Sequence, residues 1–92
     1  MYERRSKIRI FLDILRLIQK RGGMVKPTHI LYGANLSHAR LNRYLGMLLE
    51  QGFIEQVNKA GRMYYRLTPK GLQFMSEFKK VEQLTEAFGI SL

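Results

Sequence analysis

The segment from His38 to Arg43 contains the side chains best suited to recognising the edges of nucleic-acid bases. Asn42 can make paired hydrogen bonds with adenine, and Arg43 can make them with guanine. His38 and Ala39 are predicted to share the outward face of a helix with these two residues, whereas Arg40 lies on its flank and suits a phosphate. The alternative is that these five residues form a solvated helix face.

A second basic cluster surrounds Gly61. Lys59 and Arg62 flank this glycine between two segments rich in β-forming residues, which predicts a flexible basic hairpin tip that reaches along a nucleic-acid backbone or into a minor groove. The alternative is a charged hairpin edge that discourages aggregation. Lys26 and Thr28 precede or begin another predicted helix, where they would hold a phosphate near its positive end.

Two smaller interpretations concern the basic N-terminus and two tyrosines. Arg4 and Arg5, with Lys7, form a basic arm that either contacts DNA or only aids solubility. Tyr32 and Tyr44 are predicted to lie at the edge of the core rather than to act as stacking platforms.

Residue types argue against catalysis and metal binding. The chain has no cysteine and only two histidines, His29 and His38, so no metal-ligand spacing exists. Its seven acidic residues are scattered, and no catalytic triad or phosphate-binding loop is evident. We therefore expect a non-enzymatic protein with no cofactor, and no small-molecule ligand is evident.

Charge and length narrow the class of partner. The 92 residues correspond to one compact unit, and 16 Lys and Arg against seven Asp and Glu give a net charge of +9. This excess favours a polyanion, with nucleic acid ahead of an acidic membrane surface. No apolar run is long enough to span a bilayer, and the basic N-terminus does not lead into a secretory signal. A cytoplasmic, nucleoid-associated location is expected.

Hydrophobic periodicity and capping residues predict the elements that position these side chains. The predicted elements are a helix from the Ser6 cap to about Arg21, a short strand at 24–26, a helix at about Pro27–Tyr32, a helix from the Ser37 cap to about Gln51, strands at Phe53–Val57 and Met63–Leu67, and a helix at about Pro69–Phe88. The fold class is therefore α+β, mostly α: a winged helix-turn-helix domain (residues 1–68) with an added C-terminal helix (residues 69–92).

Two sets of residues carry a resemblance to known families. Asn35-Leu36-Ser37, followed by the inward Leu41, Leu45 and Leu48 and by Gly52-Phe53-Ile54, resembles winged-helix regulators. The chain resembles more closely an archaeal family of basic, ten-kilodalton winged-helix DNA-binding proteins. The residues that carry this resemblance are the run from Tyr32 to Ser37, Arg43-Tyr44-Leu45 and Leu67-Thr68-Pro69-Lys70-Gly71. That resemblance implies dimerisation through an antiparallel C-terminal helix, and some members are chromatin-associated.

The last predicted helix carries an apolar seam that fits such a dimer. Phe74, Phe78, Val81 and Phe88 follow heptad spacing, and Leu84 lies beside them. The alternative is that the helix packs back on its own domain. Because Ile10, Ile14 and Leu17 form a second apolar stripe on the first helix without an obvious cover, we favour a homodimer. The helix is short and its seam is aromatic, which argues against a long coiled-coil rod.

These observations together predict a protein that binds double-stranded DNA as a homodimer, through a recognition helix and a basic wing. It would act as a transcriptional regulator or as a chromatin-associated architectural protein. The main alternative is a winged-helix module for protein–protein contact within a larger transcription or replication assembly. RNA binding ranks third, because no aromatic platform on a sheet is evident.

Overall fold

The computed structural model describes residues 6–90 and has the predicted order of elements. Its helices are α1 (Lys7–Lys20), α2 (Pro27–Gly33), α3 (His38–Glu50) and α4 (Pro69–Ala87), and its strands are β1 (Met24–Val25), β2 (Ile54–Lys59) and β3 (Arg62–Leu67). The strands form an antiparallel sheet in the order β1-β3-β2. The α+β winged helix-turn-helix architecture is confirmed, whereas Arg4 and Arg5 of the predicted basic arm lie outside the described residues.

Local side-chain hydrogen bonds set the starts of three helices. The hydroxyl oxygens of Ser6, Ser37 and Thr68 each accept a hydrogen bond from the backbone N–H three residues later, at 3.2, 3.3 and 3.1 Å respectively. Each bond satisfies a donor that the helix cannot satisfy itself. The three caps predicted from the sequence are confirmed.

The first helix lies at the centre of the molecule and needs no second chain to cover it. It contacts α2, α3, α4, β1 and β3. Ile10 and Ile14, which the sequence left without a cover, are 0% exposed within the single chain. That part of the argument for a dimer is therefore wrong, because helices on several sides enclose α1 and only Leu17 of the stripe stays partly exposed.

The hairpin between β2 and β3 is tighter than predicted. The sequence placed Asn58 to Gly61 in the connection, but the strands continue to Lys59 and resume at Arg62, leaving Ala60 and Gly61 as a two-residue turn. Both turn residues have positive φ, 53° and 76°, as a type I′ turn requires. The twist of a type I′ turn matches the twist of the two strands, so β2 and β3 stay paired up to Lys59 and Arg62. The tip is therefore not a flexible loop.

Ala60 is the turn residue least suited to this backbone. Its Cβ disfavours the left-handed region, whereas asparagine visits that region readily and Asn-Gly is the preferred pair in this turn. We expect Ala60→Asn to raise the free energy of unfolding by about 0.5–1 kcal/mol in a urea titration. The opposite change at the next position, Gly61→Ala, should lower it, and a loss on Ala60→Asn would contradict the turn assignment.

A carboxylate joins α4 to α1. Arg9 Nη1 donates to Glu82 Oε2 at 3.0 Å, and Arg16 donates to the other carboxylate oxygen. Burial alone would raise the pKa of Glu82, but the hydrogen bonds and charges of Arg16 and Arg9 outweigh it and hold that pKa below its ordinary value of 4.5. The middle of α4 is thereby fixed against the winged-helix body.

Candidate nucleic-acid interface

The outward face of α3 presents the residues that the sequence singled out there. His38, Ala39, Asn42 and Arg43 are exposed and Arg40 is partly exposed, while the inward ridge of Leu41, Leu45 and Leu48 is at most 3% exposed. The three leucines are spaced so that they share one face of α3, and burying that face turns the polar residues of the opposite face to solvent. Asn42 Nδ2 lies 3.3 Å from His38 Nδ1, one turn earlier on the same face.

The start of α2 lies beside a cation, although Pro27 has no N–H and the N–H of His29 donates to the carbonyl oxygen of Lys26 at 3.1 Å. Lys26 occupies the N-cap with no side-chain capping hydrogen bond, Pro27 follows it, and Thr28 is exposed. Proline has no N–H to satisfy at this position, which suits it to a first helical turn. Lys26 and Thr28 therefore lie where the sequence placed them.

Tyr32 is not a core-edge residue as predicted, because it is 81% exposed. It lies one turn after Thr28 on α2, on the same exposed face, while Ile30 faces inward and is 0% exposed. Tyr44 does lie at the core edge as predicted: its ring meets that of Phe11 edge-on, with centroids 5.9 Å apart. The sequence did not distinguish the two tyrosines because α2 has only seven residues. So short a helix gives too few apolar positions to show which of its faces is turned to the core.

Two like charges face each other at the hairpin tip. Lys59 and Arg62 are cross-strand partners, and both are exposed. Like charges directly opposite each other destabilise a strand pair, so this pair favours an anion nearby. Farther along β3, Arg66 pairs with Glu55, its cross-strand neighbour, through its Nε at 2.8 Å from Oε1. The free positive charge of the hairpin therefore concentrates at its tip.

The distribution of acidic residues sets the electrostatics of this surface. No Asp or Glu occurs from Ile14 to Leu49 or from Gln56 to Ser76, and these two segments contain α2, β3 and all of α3 except its last residue, Glu50. The contacts of α2 with α3, of α3 with β2 and of α2 with β3 hold these elements together. An uncompensated basic surface of this kind attracts polyanions.

Other kinds of site find little support in the part of the chain that the structure describes. Across residues 6–90, no group of three or more His, Cys, Asp or Glu side chains is placed to hold a metal ion. None of the helices within that range combines the length and apolarity needed to cross a membrane.

The element order, the sheet and the exposed polar face of α3 define a winged helix-turn-helix protein. A family model described as a winged helix-turn-helix matches residues 4–86, and the chain belongs to that family.

Archaeal proteins are among its relatives in sequence. The chain is 33% identical over 81 residues to the uncharacterised protein MJ0290 of Methanocaldococcus jannaschii, a match that covers 88% of this chain and 36% of the relative. A second uncharacterised protein of that organism, MJ0287, is 30% identical over 81 residues, covering 88% of this chain and 77% of the relative. The chain therefore spans little more than a third of the first relative and about three quarters of the second.

Solved structures show the same fold at lower identity. Sso10a-2, a DNA-binding protein from Sulfolobus solfataricus, superposes with a TM-score of 0.77 at 24% identity, covering 91% of this chain and 85% of that one. A MarR family transcriptional regulator from Silicibacter pomeroyi gives 0.72 at 16% identity, covering 87% and 56% respectively. The resemblance to archaeal winged-helix proteins drawn from the sequence is confirmed.

Proposed function

We propose that this chain binds double-stranded DNA as a homodimer and acts, without catalysis, as a transcriptional regulator or a nucleoid-associated architectural protein. The observation that carries the proposal is the outward face of α3 from His38 to Arg43, which is polar, basic and free of acidic residues. Helix-turn-helix proteins in general insert such a helix into the major groove, where its N-terminal residues reach base edges, and this general geometry supports the proposal. The description of Sso10a-2 as a DNA-binding protein supports the same function.

Each group of residues has a separate part in this proposal. Asn42 and Arg43 contact base edges, with His38 and Ala39 beside them, and Arg40 contacts a phosphate from the flank of the helix. The Lys59 and Arg62 pair engages the backbone or the minor groove, where an anion relieves their mutual repulsion. Lys26 and Thr28 hold a phosphate at the start of α2.

Arg43→Ala is the substitution that tests the interface. We expect it to weaken binding to those members of a random-sequence duplex library that present a guanine to Arg43, and so to relax the preference for guanine by about 5- to 150-fold, since a good bidentate arginine contact contributes about 1–3 kcal/mol of discrimination. Fluorescence anisotropy from about 50 to about 200 mM salt should show that the logarithm of the native affinity falls with a slope of several phosphates, and Arg43→Ala should leave this slope nearly unchanged because Arg43 contacts a base.

Lys79→Ala is the matched control for that experiment. It removes the same charge from an exposed position on α4, away from α2, α3 and the hairpin. We expect little change in its affinity for DNA. If both variants lost affinity equally, net charge alone would drive binding, and α3 would no longer be part of the proposal. If the native chain does not bind DNA at low salt, the proposal fails and a protein-contact module becomes the better hypothesis.

A further inference from the structure

Tyr32 is the most exposed of the large hydrophobic residues that the structure describes. It is 81% exposed, whereas Tyr44 and Tyr64 are partly buried and Tyr65 is 7% exposed. The other large hydrophobic residues exposed between residues 6 and 90 all lie on α4 or just after it: Leu72, Val81, Leu84, Phe88 and Ile90. Tyr32 therefore belongs to a different surface, that of α2.

The packing of α2 holds Tyr32 in this outward direction. Ile30 is 0% exposed, and Tyr32 follows it by two residues, which turns its side chain about 200° away around a helix of 3.6 residues per turn. At the next position, Gly33, a Cβ would lie 2.7 Å from Leu17 Cδ2, so this glycine lets α2 lie close to α1. Because α2 could rotate only by giving up both contacts, the exposure of Tyr32 is a property of the fold.

Tyr32 lies at the edge of the candidate nucleic-acid interface. It comes one turn after Thr28 on the same exposed face of α2, and only residues 34–37 separate α2 from His38 at the start of α3. The two helices contact each other. No Asp or Glu occurs from Ile14 to Leu49, so no acidic side chain of this stretch repels a phosphate near Tyr32. The exposed face of α2 thus flanks the basic surface of α3.

A phenol offers two kinds of contact to the backbone of a duplex. Its O–H donates a hydrogen bond, which a phosphate oxygen accepts, and its flat ring packs on the apolar face of a deoxyribose. Tyrosine is among the side chains that contact phosphates and sugars in protein–DNA complexes. Because a neutral phenol displaces no counterion, its contribution to affinity does not depend on salt, in contrast to that of Lys or Arg.

We infer that Tyr32 is a DNA-contact residue of α2: its hydroxyl donates to a phosphate and its ring packs on the adjoining deoxyribose, beside the groove that α3 enters. This inference rests on the proposed function and extends the interface to a residue that the sequence had placed at the edge of the core. Tyr32 contributes affinity without sequence preference, because contacts to the backbone carry no sequence information directly.

Tyr32→Phe is the variant that tests the hydroxyl. We expect its affinity for a duplex to fall by about 2- to 12-fold, the range for the loss of one hydrogen bond, while the salt slope of the native chain is retained. Tyr32→Ala should bind more weakly still, because it also loses the ring. Lys26→Ala, in contrast, should reduce the slope by about one phosphate. Anisotropy titrations from about 50 to about 200 mM salt compare these variants.

Leu72→Ala is the control for removing an exposed apolar side chain. Leu72 is 44% exposed on α4, outside α2, α3 and the hairpin, so this variant should bind DNA as the native chain does. Urea unfolding shows whether each fold is intact, and both Tyr32 variants should match the native chain because the ring is exposed. A marked loss of stability in Tyr32→Phe would show that the hydroxyl acts within the fold and would overturn the inference.

Chemical protection tests the contact without a substitution. Tetranitromethane nitrates exposed tyrosine rings, and mass spectrometry of peptides assigns the modified residue. Nitration of Tyr32 should be rapid in the free chain and suppressed when the chain is saturated with duplex. Unchanged nitration in the saturated complex, or native affinity in both Tyr32 variants, would overturn this inference alone. A native chain that does not bind DNA at low salt would overturn the proposed function as well.

Discussion

Gly71→Ala is expected to lower the free energy of unfolding by about 3 kcal/mol, the upper end of the usual range for overpacking, because the added methyl group has no space. A Cβ at this position would lie 2.2 Å from the carbonyl oxygen of Phe53 and 3.1 Å from its carbonyl carbon. These are backbone atoms that cannot rotate away. The same oxygen accepts a hydrogen bond from the N–H of Thr68 at 3.1 Å, so moving it would also disturb the start of α4.

Gly46 provides the control for this substitution. It is also a helical glycine, in α3, but nothing lies within 4 Å of the position that its Cβ would take. Gly46→Ala should therefore raise stability by roughly 0.5–1 kcal/mol, as expected when alanine replaces glycine inside a helix. Urea unfolding followed by circular dichroism compares the two, and a Gly71→Ala variant as stable as the native chain would disprove the close approach of α4 to Phe53.

Glu82→Gln is expected to lower the free energy of unfolding by about 0.5–1.5 kcal/mol, because water screens the partly exposed Arg16 and the glutamine oxygen can still accept a hydrogen bond. The change removes the charge that Arg9 and Arg16 share and leaves two partly exposed guanidinium groups facing each other without it. Glu77→Gln is the matched control on the same helix. Glu77 pairs with Lys80 at 3.4 Å, and both side chains are well exposed, so its loss should change little.

The pH dependence of the same variant gives an independent measurement. The pKa of Glu82 is lower in the folded chain than in the unfolded chain, so its ionisation stabilises the fold above the ordinary value of 4.5. This contribution is lost as the pH falls through the folded pKa. The stability difference between native chain and Glu82→Gln should therefore be full at neutral pH and shrink below about pH 4.5. A difference that does not vary with pH would show that Glu82 acts through packing rather than charge.

Features that depend on near neighbours in the chain were predictable from the sequence. Ser6, Ser37 and Thr68 each bind a backbone N–H only three residues away, so residue type and position were enough to locate the helix starts. The outward direction of Asn42 and Arg43 followed likewise from the spacing of the inward leucines. The order of elements, and with it the fold, was predictable because these local signals were unambiguous.

Features that join distant segments were not predictable in this way. Arg9 and Arg16 lie on the polar side of the first helix, where neighbouring residues indicate no partner for them, yet they bind Glu82, which is 73 residues from Arg9. The cover of Ile10 and the stacking of Phe74 on Phe53 likewise depend on how helices rotate against one another. Periodicity shows which face of a helix is apolar, but it does not show which element covers that face.

The two-residue turn at Ala60 and Gly61 has a consequence for the entropy of any association at the hairpin tip. A long basic loop would lose backbone freedom at each residue that it ordered on a partner, at roughly 1–2 kcal/mol per residue. Here the ladder already extends to Lys59 and Arg62, so the backbone that carries both cations is ordered before contact. The same rigidity fixes the spacing of the two Cα atoms from which these side chains extend, so that on association only the side chains of the two cations lose conformational freedom.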